Sequence, residues 1–210
     1  MSPYRVIAID GPAGSGKSTI SRALGETLGL STLDTGASYR AVTAACLARG
    51  IDPKDREAVV GLARRAILEI DGRAVIDGVD VTDEIRGDAV NHHVSVVASN
   101  PGVREALVAW QRSWVNEHQG GIVEGRDIGT VVFPNATVKL YLTASADERA
   151  RRRSEEGLAS IERRDRIDST REHSPLTIAE DAFEIDTTEL SVDDVVALVL
   201  DRIADKEGGA

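Results

Sequence analysis

A chain of 210 residues, 41% hydrophobic and 29% charged, can bury one α/β core with a modest insertion. Its formal net charge of −10 argues against polymeric nucleic acid as a main partner, because phosphate backbones attract basic surfaces. No apolar run is long enough to span a bilayer, no secretion signal is evident near Met1, and a lone cysteine, Cys46, excludes an internal disulfide, so a cytoplasmic protein away from membranes is expected.

The first element, Tyr4–Asp10, reads as a buried strand: short, branched and apolar, stopped by Gly11-Pro12. A glycine-rich turn follows, then a helix from Ser18 to Leu28. Ser31–Asp34 reads as a second strand and Tyr39–Arg49 as a second helix. Strand–helix–strand alternation predicts a parallel sheet covered by helices. Asp55–Ile70 is expected to be helical, with Val59, Leu62, Ala63, Ala66 and Ile67 on one side. Ala74–Val81 reads as a hairpin turning at Asp77-Gly78. Helices are expected over Asp88–Ser99 and from Pro101, the latter with Val103, Leu107, Trp110 and Trp114 on one stripe. The sheet pattern resumes at Gly121–Glu124, Val138–Leu142 and Phe183–Asp186. A final amphipathic helix carries Val192, Val195, Val196, Val199 and Ile203 on one face, and Asp205–Ala210 reads as a disordered tail. The expected architecture is an α/β core with a five-stranded parallel sheet flanked by helices, residues 1–51 and 101–210. A smaller α+β lobe is inserted at residues 52–100.

The turn after the first strand, Gly11-Pro12-Ala13-Gly14-Ser15-Gly16-Lys17-Ser18, matches the phosphate-loop pattern G-x-x-x-x-G-K-[ST]. Glycines let the backbone wrap so that successive N–H groups face phosphate oxygens, and the following helix adds its unpaired amides and positive dipole end. Gly11 through Thr19 are the candidate ATP-binding residues. Lys17 reaches the β- and γ-phosphates, and the Ser18 hydroxyl is the candidate Mg²⁺ ligand.

Two further motifs fall at strand ends, where ligands of parallel sheets bind. In Leu33-Asp34-Thr35-Gly36-Ala37-Ser38-Tyr39-Arg40, Thr35, Gly36 and Arg40 suit a second phosphate. In Glu124-Gly125-Arg126-Asp127-Ile128-Gly129-Thr130, Arg126 suits a phosphate and Asp127 an exocyclic amine. Eight arginines fall between Arg149 and Arg171, a local basic patch suited to a small anion. Arg149 to Arg153 also read as a solvated helix face paired with Glu148, Glu155 and Glu156. The adjacent His92 and His93 do not face one way on a helix, so a structural metal carries little weight.

Together with Arg163-Arg164-Asp165-Arg166-Ile167-Asp168-Ser169-Thr170-Arg171-Glu172-His173-Ser174-Pro175-Leu176, these motifs resemble the bacterial cytidylate kinase family, over about Val6 to Thr188. The resemblance implies a phosphate-loop kinase fold whose inserted lobe binds the nucleoside monophosphate and whose lid lies near residues 150–172. It implies ATP-dependent phosphorylation of CMP and dCMP, with Mg²⁺ accompanying ATP. By the same resemblance Thr35 and Arg40 hold the acceptor phosphate with help from Arg126, and Ser95, Arg104 and Asp127 read the cytosine edge. Arg164, Asp168 and Arg171 contact sugar and phosphates from the lid, and Lys17, Arg126, Arg164 and Arg171 carry catalysis. The stretch Ser154–Glu162 is shorter than the lid such enzymes usually carry. Rival readings are a kinase for UMP, AMP, dTMP or shikimate, and a nucleotide-dependent switch. The absence of a long heptad pattern points to a monomer.

Overall fold

Residues 5–152, 166 and 176–208 are described by a computed structural model of the chain. Two compact units emerge, Met1–Thr32 with Val115–Ala210, and Leu33–Trp114.

The first unit is organised by the central strands β1 (Arg5–Asp10), β6 (Gly120–Gly125) and β7 (Val138–Thr143), with β8 (Phe183–Asp186) at one edge. The five-stranded sheet has the order β2-β6-β1-β7-β8, where β2 is Thr32–Asp34 and carries the boundary between the units. β1 runs parallel to both β6 and β7, pairing Ile9 with Glu124 and with Leu140, and β7 runs parallel to β8. β1 reads as an apolar run rather than an alternation because both of its faces are covered, as parallel strands require. Ile7 and Ile9 are wholly buried among Ile122, Leu140 and Leu142, and helices α1 (Lys17–Leu28) and α7 (Val192–Gly208) close over them with Ile20, Leu24, Val195, Val199 and Ile203. Each such buried side chain contributes about 1.5–3 kcal/mol. Helix α1 stops at Gly29, whose φ of 64° is the left-handed conformation that ends helices. Helix α7 runs on through Asp205 to Gly208, against the expected disordered tail. Its apolar stripe anchors the preceding turns, and the residues beyond Ile203 extend a helix already nucleated, at little cost.

The second unit holds α2 (Thr35–Ala48), α3 (Arg56–Ala63), the three-stranded antiparallel sheet β3 (Leu68–Asp71), β4 (Arg73–Ile76) and β5 (Val79–Asp80), helix α4 (Asp88–Ala98), and most of α5 (Pro101–Glu117). Helix α2 begins four residues earlier than its apolar pattern suggests, because the Asp34 carboxylate accepts the Ala37 N–H at 3.1 Å and caps it. The hairpin turns at Asp77-Gly78 as expected, with φ of 51° and 77°.

The single long helix expected over Asp55–Ile70 is corrected by the structure: α3 ends at Ala63 and Leu68–Asp71 is a strand. Leu68 and Ile70 turn inward and Glu69 and Asp71 outward, a period of two that the apolar content disguised as a helical stripe. Ile67, expected on the apolar side of the helix, is 68% exposed, and its N–H is accepted at 2.8 Å by the Asp77 carboxylate of the hairpin turn. That tertiary contact, unavailable to a local pattern, helps to favour sheet over helix.

Candidate active site

The phosphate loop joins β1 to α1, and its glycines are required by space as much as by rotation. A Cβ on Gly11 would stand 2.1 Å from the carbonyl oxygen of Leu142 on the neighbouring strand. Gly14 has a φ of 79°, and a Cβ there would come within 2.9 Å of the Arg149 carbonyl oxygen. The carbonyl of Pro12 gathers the loop: it accepts from the Ser15 hydroxyl at 3.0 Å and from the Lys17 ammonium at 2.8 Å. Helix α1 opens behind Gly16 with no side-chain cap, and its N-terminal end carries the positive end of the helix dipole, the end that suits a phosphate. Ser18 is exposed in that first turn.

The loop is braced from behind by residues to which sequence reasoning gave no such place. Helix α6 (Ala146–Arg152) lies against it. Arg149 donates to the Ala13 carbonyl at 3.2 Å. Arg152 donates to the hydroxyl and the carbonyl of Thr187, a residue 3% exposed, and that hydroxyl lies 3.1 Å from the Ser15 carbonyl. Arg151 and Arg152 both pair with Glu148, as the solvated reading expects: Arg151 forks onto it at 2.7 and 2.8 Å and Arg152 Nε donates to it at 2.7 Å, but Arg152 grips Thr187 as well. Arg151, with Arg152, holds the Glu148 carboxyl down at about 2. The available signal for Thr187 was its place just past the end of β8, on the ligand-binding edge of a parallel sheet.

The Gly-Arg-Asp run leaves β6 and enters a single π-helical turn, Ile128–Val132, a device common at functional sites. Arg126 donates to the Gly11 carbonyl, and Asp127 is buried. Asp10, which the sequence offered only as the end of a strand, is also buried, and burial pushes its carboxyl up to about 6 despite hydrogen bonds from Gly129 and Ile128. The loop, Arg126 and Asp127 are thus brought together in the first unit.

The second unit holds Thr35, Arg40, Ser95 and Arg104. Thr35 is buried in the first turn of α2, and Ser95 of α4 is buried as well. Arg40 donates to the Ile85 carbonyl at 2.6 Å and to Asn91 Oδ1 at 2.8 Å, which sets the guanidinium's direction. The buried guanidinium of Arg104 stands 5.7 Å from the centre of the Tyr39 ring, a cation–π contact. His92 and His93 meet edge to face, and among the described residues no cluster of His, Cys, Asp and Glu could hold a metal. Arg164, Asp168 and Arg171, with the short Ser154–Glu162 stretch, lie outside the described residues.

A parallel sheet with this loop between its central strand and first helix defines a phosphate-loop α/β fold. A shikimate kinase from Acinetobacter baumannii in complex with shikimate shares it at a TM-score of 0.51 and 14% identity, over 97% of this chain and 95% of that one. A gluconokinase from Sinorhizobium meliloti shares it at 0.51 and 13%, over 98% and 94%. The family model for cytidylate kinase matches residues 7–205, and the chain belongs to that family. It is 48% identical to the cytidylate kinase of Geobacillus kaustophilus, covering 96% of this chain and 97% of that protein. It is 46% identical to that of Rhodococcus opacus, covering 97% and 96%. No helix among the described residues is long and apolar enough to cross a membrane.

Proposed function

We propose that the chain transfers the γ-phosphoryl group of ATP to the phosphate of CMP or dCMP, giving ADP and a cytidine diphosphate. The observation that carries this is the loop itself: a glycine cradle closed by Lys17 on the Pro12 carbonyl, opening on the uncapped start of α1, in a chain of the cytidylate kinase family. The acceptor phosphate already has a nucleophilic oxygen, so the protein's work is positioning and charge neutralisation.

In this reading the amides of Gly11–Thr19 hold the ATP phosphates and Lys17 neutralises them. Thr35 and Arg40 hold the acceptor phosphate, and Ser95, Arg104 and Asp127 read the base. Arg126, with Arg164, Asp168 and Arg171 of the lid region near 150–172, surrounds the transferred group and the sugar, and residues 52–100 form the monophosphate lobe. Ser18 offers one exposed hard oxygen in the first turn of α1, which suits Mg²⁺ arriving with the nucleotide rather than a resident metal cage. The ion would supply further neutralisation of phosphate charge. The same reading makes the protein a cytoplasmic monomer, which light scattering and fractionation check.

A coupled ADP-release assay over CMP, dCMP, UMP, AMP and dTMP tests the proposal. Turnover that depends on CMP or dCMP is expected; turnover strongest with another monophosphate, or ATP hydrolysis indifferent to any, overturns it.

A further inference from the structure

We infer that Asp10 is a positioning residue for phosphoryl transfer: its carboxylate pins the Arg126–Gly129 segment to the root of the phosphate loop, so that Arg126 and Asp127 are held in one orientation. This rests on the kinase reading above.

The pinning is a short run of directed contacts. Asp10 closes β1, the strand that delivers the loop. Its Oδ1 accepts the Ile128 N–H at 2.8 Å, and its Oδ2 accepts the Gly129 N–H at 2.7 Å. The next residue, Gly11, offers its carbonyl to Arg126. Residues 126, 128 and 129 are therefore all tied to residues 10 and 11, and Asp127 is fixed between the ties.

The π-helical turn explains why a carboxylate from another strand is needed. The Asp127 carbonyl accepts from Val131 and Val132 at 2.9 and 3.1 Å, and the Ile128 carbonyl from Phe133 at 2.7 Å. These bonds commit the turn's carbonyls and leave its leading N–H groups without an acceptor inside the turn. Asp127 makes no side-chain cap, so its carboxylate is not spent on that task. Asp10 serves the leading amides instead, one with each oxygen, and its ionised form is the stronger acceptor for both. Space is equally committed: a Cβ on Gly129 would meet Lys139 Cδ at 3.1 Å and Asp10 Oδ2 at 3.4 Å.

The charged groups facing this carboxylate come from every element around it. Lys17 of α1 favours its ionised form and Asp127 opposes it. Arg126 lies on the adjoining Gly11 carbonyl, and Lys139 of β7 runs beside Gly129 with its ammonium on Asp181 at 2.7 Å. Protonation would remove the charge that strengthens both of these bonds. The carboxyl titrates at about 6, so the ties weaken as the pH drops below that value.

The test compares wild type with Asp10→Asn in kcat and in KM for ATP and CMP across about pH 5 to 8. Amide hydrogen exchange over residues 126–132 is followed in both proteins. The variant is expected to lose about 10- to 100-fold in kcat with an ATP KM near wild type. It should also lose the acid limb of the profile and exchange faster at 126–132. A kcat within about twofold of wild type, or unchanged exchange at 126–132, overturns the inference. If Asp10→Asn does not fold, Gly129→Ala crowds the same carboxylate and is expected to give the same kcat-selective loss; unchanged kcat in that variant overturns it. Wild-type protein that turns over no CMP or dCMP defeats the functional reading instead, and exchange at 126–132 then decides the pinning by itself.

Discussion

Arg152 grips Thr187 twice, through the hydroxyl at 2.9 Å and the carbonyl at 2.7 Å, and the same hydroxyl lies 3.1 Å from the Ser15 carbonyl of the phosphate loop. One buried threonine thereby links the end of helix α6 to the phosphate loop. Thr187→Val keeps the shape and removes the hydroxyl, which accepts from Arg152 and has the Thr143 and Ser15 carbonyls as its acceptors at 2.9 and 3.1 Å. A loss of about 1–3 kcal/mol in urea unfolding is expected, with weaker ATP binding by calorimetry. Unchanged ATP affinity in a folded variant would show that the link does not reach the site.

Gly14→Ala should be far worse than an ordinary glycine-to-alanine change. The residue sits at a φ of 79° and its new methyl would press within 2.9 Å of the Arg149 carbonyl oxygen. Positive φ alone costs about 1–3 kcal/mol, and the backbone clash forces α6 away from the loop. A raised ATP KM is expected, larger than the change in CMP KM. Gly50→Ala also has positive φ but meets nothing within 4 Å, so it serves as a control for strain without clash.

Removing the Lys17 ammonium by Lys17→Ala should cost about 10³-fold or more in kcat, with far-UV circular dichroism unchanged, because the Pro12 carbonyl that the ammonium donates to is also served by the Ser15 hydroxyl. Full activity would remove Lys17 from the mechanism.

Stability and activity should move in opposite directions on mild acidification, as far as Asp10 controls them. Its carboxyl is raised from 3.8 to about 6 by burial, so the folded state holds a proton that the unfolded chain releases earlier. The stability it contributes is fully present below the unfolded value and is lost as the pH rises through about 6, a change of about 3 kcal/mol. Asp77, Asp181 and Asp186 have lowered values and act the other way, below the ordinary carboxylate range. The difference between wild type and Asp10→Asn isolates the Asp10 share: wild type should gain on the variant between pH 7 and 4 in chemical denaturation. A difference that does not vary with pH would refute this.

Asp127→Ala should impair discrimination of CMP from UMP more than ATP affinity, read from kcat/KM across the acceptors. An equal loss with every monophosphate would sink its role in reading the base.

Much of this molecule was legible before any coordinates. The loop motif located the nucleotide cradle because it depends on residue types at fixed spacing in one continuous segment. β1 and α1 followed from an apolar run and from periodicity, and the Asp77-Gly78 turn from its φ requirements, all local properties of the chain. What failed locally was the Asp55–Ile70 helix, where Leu68 and Ile70 could satisfy either period and antiparallel pairing with β4 chose the strand.

The positions of Asp10, Thr187 and Arg152 were decided by tertiary structure alone. Asp10 meets Ile128 across 118 residues and Thr187 meets Ser15 across 172. No pattern within a window encodes such pairings, because they exist only once parallel strands distant in sequence end side by side. The sequence by itself determined which groups are available to bind phosphate; the order of strands in the sheet decided which buried side chains hold those groups in place.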